Sequence, residues 1–233
     1  MLRSLLLAAS CVALSSAAGV PERAPVLVEL FTSEGCSSCP PADRLLGLLD
    51  SQVIVLSEHV DYWDSLGWKD RFSSPAFTER QSSYAHAFGL DSPYTPQMVI
   101  DGAVQFTGSD ARQAQAELQK AASRARTSIS LVRNDAGVRI ETQGPPHDAD
   151  LWLALADPTA STQVKNGENK GRELKHVAVV RSLRKIASVK RGAAFAKQIE
   201  LPAGSASQRV VVFLQEAGQG HVLGVALLLS PAM

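Results

Sequence analysis

The sequence predicts an α/β protein in two parts: an alternating unit of strands and helices over residues 25–126, then a smaller antiparallel β-domain, built as a β-sandwich, over residues 127–233. Three observations lead to this. Apolar, β-branched runs alternate with helix-patterned segments through the first part. Cys36 and Cys39 form a C-x-x-C pair where a strand pattern gives way to a helix pattern. From Thr127 the pattern changes to about seven short strand candidates separated by turn residues, with no long helix among them. A chain of 233 residues, 45% hydrophobic, buries a core without help from its three cysteines, so a cysteine pair invites a chemical explanation. The 23 Lys and Arg balance 23 Asp and Glu, which argues against a nucleic-acid binder held by bulk charge.

Met1 to Ala18 carry one positive charge at Arg3, an apolar run from Leu5 to Leu14 and small residues from Ser15 to Ala18. This is the pattern of a cleavable secretory signal over residues 1–18. The apolar run is about half the length a bilayer span needs. No later segment is long enough either, so the expected location is periplasmic or secreted, with no stable membrane span. Cys11 follows Ala8-Ala9-Ser10, a loose likeness to a lipoprotein processing site that leaves lipidation of Cys11 as an alternative. Conventional cleavage removes Cys11 and leaves Cys36 and Cys39 in an oxidising compartment.

Val26 to Phe31 read as a buried strand with Glu29 inside it. A helix over Ala42 to Asp50 starts near the cysteines; Pro40 and Pro41 suit a first turn, where amide hydrogens have no intrahelical partner. Val53 to Ser57 give a second strand, and Pro75 to Phe88 a second helix that Gly89 ends. Met98 to Asp101 and Val104 to Thr107 flank Asp101-Gly102, a two-residue hairpin signal. Ser109 to Arg126 form a polar, alanine-rich third helix. The later strand candidates are Ser128 to Arg133, Val138 to Thr142, Leu151 to Ala156, Leu174 to Leu183, Phe195 to Leu201, Val210 to Gln215 and His221 to Leu229. Asp157 to Lys175 read as a long polar loop, functional or disordered. Gly218 to Gly224 imitate a dinucleotide loop, but no helix pattern follows, so a hairpin turn is expected.

The order of the first part is that of a thioredoxin-like fold. The segment Val26 to Asp43 with its Cys36-Ser37-Ser38-Cys39-Pro40-Pro41 motif, His59-Val60-Asp61-Tyr62-Trp63-Asp64 and Thr95-Pro96 resembles a family of secreted bacterial thioredoxin-like proteins known as a domain of unknown function. The resemblance extends to Gly167-Glu168-Asn169 and Gly171-Arg172 in the second part. It implies a thioredoxin-like fold, with the Thr95-Pro96 bond cis and facing the cysteines, and names no substrate. The chain departs from the usual thioredoxin active site, since Gly35 stands where an aromatic residue is usual and two serines separate the cysteines.

A C-x-x-C pair at a helix start places the first thiol among free amide hydrogens and the positive end of the helix dipole, which favours thiolate. Cys36 is then the exposed nucleophile toward a substrate disulfide, and Cys39 resolves the mixed disulfide. The expected activity is exported thiol–disulfide exchange on a disulfide-bearing protein or small thiol, with no organic cofactor and no resident metal. Two alternatives stay open: Cu(I) held by the two thiols with a distant histidine such as His59, and a non-catalytic binding protein in which the pair is structural. Glu29 lies near the place where thioredoxins carry a buried acid that deprotonates the resolving thiol, with the spacing off by one, and is either that proton relay or a carboxylate turned to solvent or paired. Thr95, Tyr62 and Trp63 are the expected substrate wall. Charge is uneven along the chain: residues 22–64 hold eight acidic and two basic residues, residues 165–191 two acidic and nine basic. Arg172, Lys175 and His176 are therefore expected near a seam between the parts.

Overall fold

The computed structural model describes residues 25–229. The expected signal segment and Cys11 lie outside them. The architecture is mixed α/β, with one large mixed sheet and one small antiparallel sheet. The elements are β1 (Leu27–Thr32), α1 (Pro40–Leu49), β2 (Ile54–His59), α2 (Pro75–Ala87), β3 (Gln97–Ile100), β4 (Val104–Thr107), α3 (Ala111–Ala121), β5 (Ile129–Asn134), β6 (Gly137–Thr142), β7 (Ala149–Gln163), β8 (Glu173–Val189), β9 (Phe195–Ile199), β10 (Arg209–Glu216) and β11 (Val222–Leu228). At the β3–β4 hairpin, Asp101 and Gly102 both take positive φ, 51° and 62°, as such a two-residue turn requires.

The large sheet runs β11-β10-β7-β8-β2-β1-β3-β4. β1 and β2 are parallel and buried along their whole length, which is why they read as unbroken apolar runs. The boundary expected at residues 126/127 is no break in this sheet, because β8 lies parallel to β2, with Ser57 opposite Val179, and carries β7, β10 and β11 with it. Pairing of strands so far apart leaves no local trace in sequence. The small sheet, β5-β6-β9, packs Val138 and Ile140 against Leu151, Leu153, Val210 and Val212 of the large one. The sandwich expected for the second part thus borrows one of its layers from the shared sheet.

The polar stretch read as a loop is mostly strand. β7 runs to Gln163 and β8 begins at Glu173, leaving only residues 164–172 as a turn. Its alternation of exposed and half-buried residues is that of a hairpin arm with one face to solvent. This turn reaches back to the cysteines.

Candidate functional site at the cysteine pair

Glu34 to Cys39 connect the carboxyl end of β1 to the first turn of α1, whose N-cap is Cys39 with Pro40 and Pro41 following. Cys36 and Cys39 are joined by a disulfide. Both are fully buried, which corrects the expectation of an exposed Cys36. The physical reason is the turn between β7 and β8. Asn169 is itself buried, and its Nδ2 donates to the carbonyls of Glu34 and Cys36, at 2.9 Å each. The Ser37 amide donates to Glu168 Oε2 at 3.1 Å. Arg172 steadies Asn169 through its Oδ1 at 3.0 Å. Beside the pair, the Ser38 hydroxyl lies 3.4 Å from Cys36 Sγ.

The loop after β2 supplies the next layer. Trp63 Nε1 donates to Thr95 Oγ1 at 2.9 Å, and Trp63 stands against Gly35, where an added Cβ would come within 3.0 Å of the Trp63 Cβ. Gly35 is therefore the residue that lets the indole approach the cysteine loop. Tyr62 bonds Gln81 of α2 at 3.2 Å and lies 6.3 Å from the Trp63 ring. The Thr95–Pro96 bond is cis. Pro96 and Ala42 of α1 converge on Gly108, whose amide bonds the Pro96 carbonyl, so Pro96 stands beside the first turn of α1.

Glu29 does not take the relay position. Side chains alternate across a strand, so a one-residue offset moves a group to the other face. Leu30, its neighbour in β1, points toward Ala42 of α1, while Glu29 points to α2. There Arg80 Nε donates to Glu29 Oε1 at 2.7 Å and the Tyr84 hydroxyl to Oε2 at 2.6 Å. Among the readings left open for Glu29, the structure shows the paired carboxylate and not the one turned to solvent.

On the cysteine side of the sheet end sits a different set of buried ionisable groups. His176 of β8 lies between two acids, with Nε2 3.7 Å from Glu34 Oε1 and Nδ1 3.5 Å from Asp43 Oδ1. Trp68 Nε1 donates to the other oxygen of Glu34 at 2.8 Å. His59 Nδ1 is 2.6 Å from Asp70 Oδ2, and its ring centre is 4.7 Å from that of His176. Burial alone would depress the His176 pKa; Asp43 and Glu34 outweigh it and raise it to about 9. Asp70 is held below the usual carboxylate range: burial opposes this, and His59 with the amides of Glu34 and Phe72 prevails. Among the described residues no group of three or more His, Cys, Asp or Glu is arranged to hold a metal ion.

Residues 27–215 match the family described as "Protein of unknown function (DUF1223)". The chain belongs to the DUF1223 family. The match runs from β1 to β10 and so includes both the cysteine loop and the turn that covers it. Among solved structures, the chain is similar to protein AGR_C_4864 from Agrobacterium tumefaciens, at 28% identity over 92% of this chain and 98% of that one, with a TM-score of 0.77. It shares a fold with HBP35 of Porphyromonas gingivalis, at 14% identity over 90% of this chain and 76% of that one, with a TM-score of 0.59. No curated protein matches.

In this DUF1223 chain the structure brings together Cys36, Cys39, Trp63, Thr95 and Pro96, with Tyr62 at the rim, and leaves Glu29 on the far face. Sequence reasoning weighed His59 only as a distant ligand, and His176 only as a seam residue. It missed Glu34, Asp43, Asp70 and Asn169. One signal was present: an acid four residues after Cys39 shares its helix face.

Proposed function

We propose that the protein is an exported thiol–disulfide oxidoreductase built on a thioredoxin-like arrangement of β1, α1, β2, α2, β3, β4 and α3. One observation carries the reading: the only cysteines of the described residues are joined as a C-x-x-C at the N-terminal turn of α1, with Pro96 beside that turn. A four-residue loop is a weak staple, worth about 2 kcal/mol on loop entropy, so stability alone gives a modest reason for the pair. The helix end stabilises a thiolate once the bond opens. The indole of Trp63, with Thr95 and Tyr62, offers an aromatic and hydrogen-bonding wall at the rim for a partner segment.

The chemistry is exchange. A thiolate of the partner attacks Cys36, Cys39 departs, and the reverse sequence re-forms the bond. The test is equilibration with dithiothreitol and glutathione redox buffers followed by thiol counting, and capture of partners from the periplasmic fraction by a Cys39→Ala variant. Reversible opening, and mixed disulfides on Cys36 that a reductant releases, are expected. A pair that stays closed in excess dithiothreitol, or a variant that captures nothing, would remove the reading.

A further inference from the structure

We propose that His176 is the proton carrier of the cysteine pair, passing a proton through the Asp43 carboxyl group to the Cys39 sulfur when the disulfide opens and recovering it when the disulfide closes. The proposal rests on the thiol–disulfide reading and assigns the proton side of that chemistry to a residue of the second half of the chain. Opening a fully buried disulfide leaves a thiolate on Cys39 with little water to solvate it, so the departing sulfur needs a proton from within the protein. Glu29 cannot supply it, being on the other face of the sheet and held by Arg80 and Tyr84.

Asp43 can. Cys39 and Asp43 are four residues apart at the start of α1, with the Asp43 amide bonded to the Cys39 carbonyl at 3.1 Å, so the two side chains share a face about one turn apart. Behind Asp43 stands His176, buried, its Nδ1 3.5 Å from Asp43 Oδ1 and its Nε2 3.7 Å from Glu34 Oε1, and neither ring nitrogen nor Asp43 Oδ1 has a hydrogen-bond partner. An imidazole buried between two acids at ion-pair distance, with no direct hydrogen bond to fix it on either, is placed for transfer as well as for anchorage. The ionisable groups that face it are Glu34 from the cysteine loop, Asp43 from α1 and His59 from β2, with Asp70 behind His59. The Phe72 ring meets it edge to face, and the guanidiniums of Arg71 and Arg181 lie over that same ring. Acids outweigh bases around the ring, which keeps His176 protonated at neutral pH.

The electrons and protons balance as follows for opening by a dithiol. One thiolate of the dithiol attacks Cys36 Sγ and the Cys36–Cys39 bond breaks, with its electron pair leaving on Cys39 Sγ. His176 gives up its proton by way of Asp43, and Cys39 becomes a thiol. The second thiol of the donor, as thiolate, attacks the mixed disulfide, departs as a cyclic disulfide and releases Cys36 as a thiolate. Two electrons pass to the pair, the two protons of the donor dithiol go to solvent, and His176 takes its proton back from Cys39 by way of Asp43 when the disulfide closes. Because His176 acts through Asp43, it is a positioning residue, and its signature is a pH profile.

The experiment follows dithiothreitol opening of the oxidised full-length mature protein from about pH 6 to about pH 10, with each rate divided by the dithiothreitol thiolate concentration. In the wild type this normalised rate should fall as the pH passes the His176 pKa. His176→Gln and Asp43→Asn should each lower it about a hundredfold at neutral pH, the low end for a positioned general acid, and abolish the fall. The NMR titration of the His176 ring in wild-type protein needs no variant to fold, and its midpoint should differ between the oxidised and reduced states. Variants that keep the wild-type pH profile, or one midpoint in both states, would overturn the proton role while leaving exchange intact. A wild-type pair that dithiothreitol never opens would overturn the exchange reading and this proposal together.

Discussion

The two ends of the buried-charge problem in this protein are solved differently on the two faces of one sheet. Facing α2, Glu29 and Glu58 share Arg80, whose guanidinium reaches Glu29, Tyr84, Gln215 and Gln219 by hydrogen bonds and lies over the rings of Trp152 and Phe213. Burial and the neighbouring Glu29 carboxylate push Glu58 well above the usual carboxylate range, against the pull of Arg80, so two acids share one fixed cation. At the cysteine end, three acids and two histidines are buried together, and the central base is an imidazole with no hydrogen bond of its own. An arginine never gives up its proton at ordinary pH, and an imidazole does. The contrast teaches that the α2 cluster is built to stay as it is, whereas the cysteine cluster is built to change charge.

Breaking the first cluster gives the largest expected effect. Arg80→Met leaves the buried Glu29 without its cation and should cost about 4 kcal/mol in urea unfolding, by analogy with other buried pairs that lose one partner. The pH profile of cysteine opening should not move. A variant with near wild-type stability, or with an altered opening profile, would erase the distinction between the two clusters.

The next effect belongs to the cysteine cluster. Because the folded pKa of His176, about 9, lies above its ordinary value of 6.5, its contribution is fully present below pH 6.5 and is lost as the pH rises through 9. The loss amounts to about 3 kcal/mol, and His176→Gln should flatten the stability curve over that window. The raised pKa of Glu58 also makes stability fall with rising pH, but from the lower starting point of an ordinary carboxyl group, and Glu58→Gln should remove that limb. Unfolding curves collected across pH separate the two limbs.

A smaller effect is expected from the pair itself. Cys36→Ser with Cys39→Ser should lower stability by about 2 kcal/mol and abolish all exchange with a dithiol, as measured by unfolding and thiol assays. Smallest is Asn169→Ala. It removes the two bonds that draw the β7–β8 turn over the cysteine loop, costs about 1 kcal/mol, and should speed dithiothreitol opening by exposing Cys36. An unchanged opening rate would mean that the turn does not control access.

Part of this was legible in the chain of residues. Local signals are enough where a physical rule acts over a few residues. The buried strands β1 and β2 announced themselves as apolar runs, α1 through its prolines and leucines, the β3–β4 hairpin through Asp101-Gly102, and the C-x-x-C through its place at a strand-to-helix junction. Those rules work because they depend on backbone geometry and spacing alone. What failed did so for a reason of the same kind: the spacing of Glu29 was close to that of a relay acid, yet a strand turns successive side chains to opposite faces, and one residue was enough to send it to Arg80.

The tertiary structure decided the rest. That β8 pairs with β2, that Asn169 closes over Cys36 from 133 positions away, and that His176 meets Glu34 and Asp43 are all consequences of long-range strand pairing. Sequence carries no local mark of such contacts, because the free energy that selects them comes from burying faces against each other and not from any short segment's own preference. The chain by itself determined that a cysteine pair would sit at a helix end; only the folded sheet determined which buried acids and bases surround it.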